Sequence, residues 1–376
     1  MPSYLVFGCT NFNGRALVQR LCAERAQAAD GGASWEIRGV DKVLPELASF
    51  PNEVLGLFGA FDYRMGNLRS PEFLEAAFEG RRWDYVFNFA AEHKFGQSTH
   101  VYEQDVHQLS VAIARLAQRY CDVLVHLSSA HIYKPGKHRH DEGSPQEATH
   151  ELAAAHIGAE RDIADISGLR SVVLRPALCY GPGDRQNVVP MLIAAQLSQH
   201  TGEAMPVLWD KDLRVSTVHV SDVARAALAA AHWFRAATEA SSVVFNLADP
   251  GDTTNQKLAR VVGQLFGVKP TFQNSAVNLI ARRLKVEELT EEVNESLLGP
   301  WMDLLISHNV ANSPLSPYLD REHPYCQLER YPLAVDGSRI EKTPGLEFSY
   351  QHPHIDADSL RPMLDEFKQQ GMWPCV

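Results

Sequence analysis

Short apolar runs alternate with amphipathic stretches through the first half of the chain. Apolar residues that recur every three or four positions predict helices, and the short continuous runs between them predict buried strands. This alternation is typical of a parallel sheet whose strands are joined by crossover helices. The predicted strands are Tyr4–Phe7, Trp35–Val40, Tyr85–Phe89, Val123–Leu127 and Ser171–Leu174, and the predicted helices are Arg15–Ala26, Pro71–Phe78, Tyr102–Tyr120 and Glu151–Ile166.

The pattern becomes less regular after Gly181-Pro182-Gly183. A predicted helix at Ser221–Ala231 and a predicted strand at Val243–Leu247 return to the sheet, whereas proline and turn residues dominate from Pro250 onward. We therefore divide the chain into an α/β domain and a smaller C-terminal lobe that ends in a helix. The predicted bounds are residues 1–180 with 217–248 for the domain, and residues 181–216 with 249–376 for the lobe.

The net charge of the chain limits the kinds of molecule that are expected to bind it. The formal net charge is −11, and we find no basic stripe, so neither a nucleic acid nor a membrane surface is expected as a partner. No apolar run approaches the roughly 20 residues that span a bilayer. The six cysteines are scattered without metal-type spacing, which predicts reduced thiols, no metal site and a cytoplasmic protein.

A glycine-containing turn follows the first predicted strand. Gly8 and Gly14 flank it, and such glycines let backbone N–H groups at a helix N-terminus approach a pyrophosphate. Asn11 occupies the middle position, where it tolerates a left-handed turn but its side chain is expected to crowd the phosphates. The turn therefore predicts a dinucleotide site with one unusual residue.

Asp41 ends the second predicted strand. A carboxylate at this point accepts hydrogen bonds from both ribose hydroxyls and repels a 2′-phosphate, so NAD(H) is favoured over NADP(H). The alternative is an ordinary capping or loop aspartate, and the adjacent Lys42 weakens the preference for NAD.

Further segments occur in an order that resembles the extended short-chain dehydrogenases/reductases, the NAD-dependent epimerase/dehydratase family. The resemblance implies a Rossmann-type doubly wound parallel sheet, with the C-terminal lobe binding the substrate. The segments are Gly66–Arg69, Asn88–Ala91, His126–Tyr133, Leu174–Gly183, Arg214 with Val218–Ala224, and Val335–Ser338 with Lys342 and Gly345.

The resemblance also assigns residues to a cofactor and a substrate. A small-molecule substrate is expected beside NAD(H), and a homodimer is expected through the helices Tyr102–Tyr120 and Glu151–Ile166. The cofactor residues are Gly8, Asn11, Gly14, Asp41, Asn67, Leu68, Asn88, Ala90, His93 and Pro176, and the substrate residues are Ser128, Lys94, Tyr180 and Arg214.

The family's catalytic tyrosine and lysine are missing. Glu160 matches the glutamate that usually follows this pair on its helix, and counting back places His156 at the lysine and Leu152 at the tyrosine. No tyrosine lies between Tyr133 and Tyr180, so no shift in alignment restores the pair.

Three residues are candidates for the catalytic work. Ser129 matches the family's serine that binds the substrate oxygen, and Tyr133 or His156 could supply the missing acid. The favoured hypothesis is an enzyme with non-redox isomerase, dehydratase or cyclase chemistry on an oxygenated metabolite. The alternatives are an oxidoreductase or epimerase that uses Tyr133 or His156, and a non-enzymatic dinucleotide sensor.

Overall fold

A seven-stranded parallel sheet forms the centre of the molecule, so the predicted α/β fold is confirmed. The computed structural model describes residues 2–29, 35–136, 138–236, 241–272, 286–323, 326 and 332–375. The strands of the sheet are β1 Ser3–Phe7, β2 Glu36–Asp41, β3 Asp62–Met65, β4 Trp83–Asn88, β5 Cys121–Leu127, β6 Ser171–Pro176 and β10 Ser242–Leu247. Two small parallel pairs join β7 Leu178–Tyr180 to β9 Thr217–His219 and β8 Met205–Val207 to β11 Pro270–Phe272.

The order of the strands determines where a ligand can bind. The order is β10-β6-β5-β4-β1-β2-β3, so the chain starts at β1, runs outward to β3, and then crosses to β4 and the other half. The connections on the two sides of this switch point diverge and leave a crevice at the carboxyl ends of β1 and β4. Ligands of doubly wound sheets bind in this crevice.

Helices cover both faces of the sheet because alternate strand residues point to opposite sides. Tyr4 and Val6 pack in the core beneath the helices Phe12–Ala29 (α1) and Val220–Ala236 (α8). Leu5 and Phe7 pack in the core on the other face, beneath Pro71–Phe78 (α3) and Leu109–Tyr120 (α5). The helices are α1 Phe12–Ala29, α2 Asn52–Leu57, α3 Pro71–Phe78, α4 Thr99–Tyr102, α5 Leu109–Tyr120, α6 Glu151–Ala164, α7 Val189–Thr201, α8 Val220–Ala236 and α9 Asn255–Phe266, then Val286–Ser307, Ser338–Lys342 and Ala357–Gln369, with 3-10 turns at Pro45–Leu47 and Ala130–Ile132 and a π-helical segment at Glu103–Gln108.

A separate apolar core holds the C-terminal part together. It is built mainly from α7, α9, Val286–Ser307 and Ala357–Gln369, with Trp301 and Trp373 completely enclosed at its centre. This core lies largely within the predicted lobe, whose bounds stay a prediction. None of the helices in the described ranges is long and apolar enough to cross a membrane.

The helix that was expected at a dimer interface buries its apolar face within the protomer. Val106, Leu109, Ile113 and Leu116 are at most 7% exposed because they pack against the sheet, α3 and α6. The pattern of these residues therefore needs no second copy to explain it. Homodimerisation stays a prediction that rests on the family resemblance alone.

Candidate active site

A cavity of about 310 Å³ lies at the carboxyl ends of β1, β5 and β6, beside the point where the strand order reverses. Its volume is within the range of small-molecule sites, roughly 300–1,000 Å³. Aromatic and aliphatic side chains form part of the wall. The polar residues that line it are Thr10, Asn11, Asn13, Arg15, His93, Ser128, Ser129, His131, His150, His156, Asp184, Arg185, Gln186 and Asn187.

The turn from β1 into α1 borders this cavity and depends on its two glycines. Gly8 has a φ of +79°, and a Cβ there would lie 2.5 Å from the backbone nitrogen of Ala90. A Cβ on Gly14 would lie 2.0 Å from the carbonyl oxygen of Gly8. The glycines thus allow the first turn of α1 to sit directly against the end of the sheet.

Asn11 is part of this turn without adopting a left-handed conformation. Its Nδ2 donates to the carbonyl oxygen of Phe89 at 2.6 Å, and its Oδ1 accepts the Gly14 N–H at 2.8 Å. These bonds hold the side chain against the turn, at the edge of the cavity. That Asn11 crowds bound phosphates stays a prediction.

Asp41 ends β2, as predicted, and its carboxylate is buried. One oxygen accepts the N–H of Thr10 at 2.9 Å and the other accepts the N–H of Lys42 at 2.7 Å. Asp41 therefore holds the glycine turn against the second strand. A carboxylate oxygen accepts more than one hydrogen bond, so a role toward ribose stays a prediction.

Ser128 and Ser129 follow β5 and both line the cavity. The Ser129 Oγ accepts the N–H of His131 at 3.1 Å, so this hydroxyl caps the 3-10 turn and keeps its own proton to donate. The Ser128 Oγ is enclosed and has no hydrogen-bond partner within the described part of the chain. Such an atom is stabilised when a polar ligand completes its hydrogen bonds.

Helix α6 brings to the cavity the two positions that the sequence matches to the family's tyrosine and lysine. Leu152 and His156 are four residues apart on one face of the helix, and both line the cavity wall. His156 is 4% exposed, and its Nδ1 is enclosed without a partner among the described residues. Neither side chain reproduces the chemistry of a tyrosine or a lysine. No tyrosine and no lysine of the described residues lines the cavity.

The histidines around the cavity are held neutral. Desolvation by burial lowers the pKa of His131 to about 3 and that of His150 to about 4, and it lowers the pKa of His156 well below the ordinary value of 6.5. The pKa of His93 is lowered for the same reason. Imidazoles in this state accept or donate hydrogen bonds without adding charge to the site.

Tyr133 lies outside this cavity. Its hydroxyl donates to the Asn246 Oδ1 at 2.6 Å and accepts a hydrogen bond from Arg175 at 2.8 Å. Arg175 in turn forms a buried ion pair with Glu160. Tyr133 borders a separate, smaller cavity, so the structure does not bring it together with Ser129 and His156.

Besides Asn11, four further predicted cofactor residues lie at or beneath the cavity. His93 and Pro176 line it, and the His93 Nε2 accepts a long hydrogen bond of 3.4 Å from the Asn11 side chain. Asn88 lies at the end of β4 with its Oδ1 enclosed and unpaired among the described residues, and Ala90 packs against Gly8.

The other predicted residues do not line the cavity. Lys94 and Asn67 are exposed, and Leu68 is buried in the core beneath α3. Tyr180 is buried, and its hydroxyl lies 3.5 Å from the carbonyl oxygen of His354. Arg214 pairs with Asp252 at 3.5 Å. A contact between these residues and a ligand stays a prediction.

Two arginines that the sequence did not single out line the cavity beside the first turn of α1. Arg15 follows Gly14 and makes a bidentate ion pair with Glu366 of the helix Ala357–Gln369, at 2.7 and 2.6 Å. Arg185 donates to the carbonyl oxygens of Ala48 and Ser49 at 3.0 and 2.8 Å. Arg15 could have been suspected from its place after the last glycine, whereas Arg185 reaches the site only through the fold.

The side chains that most often bind metal ions in proteins are spread over the described part of the chain. In residues 2–29, 35–136, 138–236, 241–272, 286–323, 326 and 332–375, no three His, Cys, Asp or Glu side chains are arranged to hold a metal ion.

Comparison with known proteins identifies relatives of the chain. The model of the NAD dependent epimerase/dehydratase family matches residues 4–248. The sterol-4-alpha-carboxylate 3-dehydrogenase, decarboxylating, of Candida albicans is 26% identical over 239 residues. That match covers 61% of this chain and 65% of the dehydrogenase, just under two thirds of its length.

Solved structures of the same fold extend over more of the chain. The UDP-glucuronic acid 4-epimerase of Bacillus cereus, in complex with UDP-glucuronic acid and NAD, has a TM-score of 0.66 at 15% identity and covers 98% of this chain and 99% of its own. The UDP-glucose 4-epimerase of Thermus thermophilus, in complex with NAD, has a TM-score of 0.56 at 21% identity, covering 72% of this chain and 85% of its own. At these identities the likeness shows the fold.

The buried histidines predict that the protein loses stability in mild acid. Where burial lowers a histidine pKa, the unfolded state binds more protons, so the free energy of unfolding falls as the pH drops below about 6.5. Each proton that the unfolded state binds in excess lowers the free energy of unfolding by about 1.4 kcal/mol per pH unit. Asp184 and Asp249, whose pKa values burial raises to about 6, oppose the effect but are outnumbered. The histidines with pKa values of about 3 to 4 are His126, His131, His150, His219 and His323.

Urea denaturation at pH 7.5, 6.0 and 5.0 measures this loss, and the unfolding midpoint should fall steadily toward pH 5. Replacing the enclosed His126 by Gln removes one titrating group and should make the slope shallower. A midpoint that stays level or rises between pH 7.5 and pH 5.0 contradicts the prediction.

Proposed function

Because this chain belongs to the NAD dependent epimerase/dehydratase family, we propose that it is an enzyme that binds NAD(H) and a small oxygenated metabolite in the sheet-edge cavity. The reaction is an isomerisation, elimination or cyclisation that proceeds by proton transfer without net oxidation. The observation that carries this proposal is the lining of the cavity, where Ser129 and the neutral His156 accompany Leu152 at the position of the family's tyrosine.

The cavity has features that fit a dinucleotide. The first turn of α1, Arg15 and Arg185 form an end suited to phosphates, since helix N-terminal N–H groups and guanidinium groups both favour anions. At the other end, Ser128 and His156 carry enclosed polar atoms without partners among the described residues. Bound NAD(H) would supply a hydride acceptor or donor there.

His156 is the proposed base. Burial opposes an isolated imidazolium, and it therefore lowers the pKa of His156. A proton that leaves the substrate also leaves negative charge beside the ring, and the attraction of the two charges offsets the desolvation. The imidazole can thus hold the proton for as long as the anion lasts.

Ser129 is the proposed positioning group for a substrate oxygen. Its Oγ already accepts the His131 N–H, so the hydroxyl is fixed at the mouth of the 3-10 turn and its proton is free to be donated. Leu152 contributes an apolar surface and excludes water from the reacting atoms. Tyr133 has no part in this proposal, because Asn246 and Arg175 already engage its hydroxyl.

A second candidate is an NAD-dependent oxidoreductase or epimerase in which His156 replaces the tyrosine. Two observations favour it: Asp41 stands at the end of β2, and the Candida albicans relative is named as a dehydrogenase. This candidate differs from the first in requiring hydride transfer.

We predict that NAD(H) binds more tightly than NADP(H), because the Asp41 carboxylate stands where a 2′-phosphate would need a cation. Isothermal calorimetry with both cofactors should give at least a tenfold difference, and Asp41→Asn should narrow it because the repelling charge is gone. Tighter binding of NADP(H) to the unaltered protein would remove the assignment of Asp41.

Turnover of oxygenated metabolites should leave the NADH absorbance band flat while mass spectrometry detects product. His156→Gln should lower kcat by about 10²–10⁴, the usual contribution of a general base. A smaller loss is expected for Ser129→Ala. The matched control is His232→Gln, a histidine that bonds to Tyr4 away from the cavity and should leave kcat unchanged.

A stoichiometric change in NADH with product would favour the oxidoreductase candidate. If NAD(H) binds but no substrate is turned over, the proposed enzymatic function fails and the sensor hypothesis takes its place.

A further inference from the structure

His150 begins helix α6 and caps it. Its backbone is extended, with φ −155° and ψ 167°, and its side-chain Nδ1 accepts the N–H of Ala153 at 3.1 Å. Serine, threonine, asparagine and aspartate are the usual residues at this position. A histidine there is unusual, and it lies only two residues before Leu152.

The capping bond determines which ring nitrogen carries the proton. A backbone N–H can only donate, so the Nδ1 that accepts it must be unprotonated. A neutral ring then carries its proton on Nε2. The positive end of the α6 dipole and the burial of the ring both oppose a second proton, and the pKa of His150 is lowered to about 4. His150 is therefore a neutral N–H donor held in one orientation.

The other ring nitrogen of His150, Nε2, has no hydrogen-bond partner among the described residues, and it is not one of their fully enclosed atoms. His150 lines the sheet-edge cavity together with Ser129 and His156, and also the smaller cavity beside Tyr133. The N–H group thus has a cavity to donate into and no acceptor in the part of the chain that the structure describes.

We propose that His150 is a catalytic hydrogen-bond donor that takes over from the missing tyrosine by polarising a carbonyl oxygen of the substrate. The inference rests on the proposed function and specifies its substrate class, a compound with a C–H bond next to a carbonyl group. A neutral imidazole at a helix N-terminus is suited to this task, because it donates strongly without surrendering its proton.

Proton transfer begins with the C–H bond. This bond breaks and its proton moves to His156, while the bonding electrons form a carbon–carbon double bond and the carbonyl electrons move onto oxygen. The His150 Nε2–H bonds to that oxygen and stays protonated. In an isomerisation the carbonyl group re-forms as His156 returns the proton to another carbon. In an elimination the carbonyl group re-forms as a hydroxyl group leaves the neighbouring carbon, and this group takes the proton from His156 and departs as water.

Two variants separate this role from the capping role. His150→Ser retains a side chain that caps helices well but lacks the N–H donor, whereas His150→Ala lacks both. Thr254→Ala is the matched control, because Thr254 caps α9 through the Lys257 N–H and does not line the cavity. We expect His150→Ala and Thr254→Ala to lower the thermal midpoint, and His150→Ser to leave it nearly unchanged.

The functional probe is 4-nitrophenolate, an oxyanion whose visible absorbance reports its environment. Binding is measured with NAD present, so that no substrate need be known. His150→Ser should weaken binding by about 10-fold to 100-fold, as expected for loss of a hydrogen bond to a charged group. Thr254→Ala should not change it. Binding to His150→Ser within twofold of the unaltered protein, or no binding to the unaltered protein, would overturn the proposal.

Nitrogen-15 NMR of histidine-labelled protein at pH 7 tests the tautomer independently, with His150 assigned from the signals that disappear in His150→Ser. An unprotonated Nδ1 and a protonated Nε2 are expected, and the reverse would overturn the proposal. Failure of the proposed function has a different signature. In that case the tautomer and the probe binding are as expected, but the unaltered protein turns over no carbonyl substrate.

Discussion

An imidazole that is removed from water resists taking up a proton, and this desolvation governs the chemistry of the cavity. Burial is the largest cause of the lowered pKa of His131, His150 and His156. The family's tyrosine–lysine pair relies on a fixed positive charge, whereas these residues provide none. A site built from them can polarise an oxygen and hold a proton, but only beside a group that itself becomes negative.

The charged side chains that line the cavity lie apart from the neutral histidines. Arg15 and Arg185 lie beside the first turn of α1, and the only carboxylate of the lining within the described residues is Asp184. Glu366 holds Arg15 in place from the last helix, which connects the C-terminal lobe directly to the glycine turn. The two guanidinium groups thus lie at the end of the cavity that we propose for phosphates, and the neutral histidines lie at the end that we propose for a reacting carbonyl compound.

The sequence predicted the features that depend on local pattern. The apolar run of β1, the end of β2 at Asp41 and the count back from Glu160 to Leu152 all follow from neighbouring residues. It could not place Tyr133, because the partners of that hydroxyl, Arg175 and Asn246, are 42 and 113 residues away. The role of His150 was equally hidden, since it depends on a capping bond and on a cavity that several strands form together.

Neutral histidines at this site are proposed to manage a proton transfer. Turnover in D₂O, with product and recovered substrate examined by mass spectrometry, distinguishes this from a hydride that leaves and returns to the same molecule. Proton transfer through His156 should place one solvent deuterium on a carbon of the isomerised product, or of the recovered substrate if the reaction is an elimination, and His156→Gln should abolish this exchange. Product and recovered substrate that both lack solvent deuterium, or that carry the label of NADH deuterated at its transferable position, would contradict proton transfer by His156.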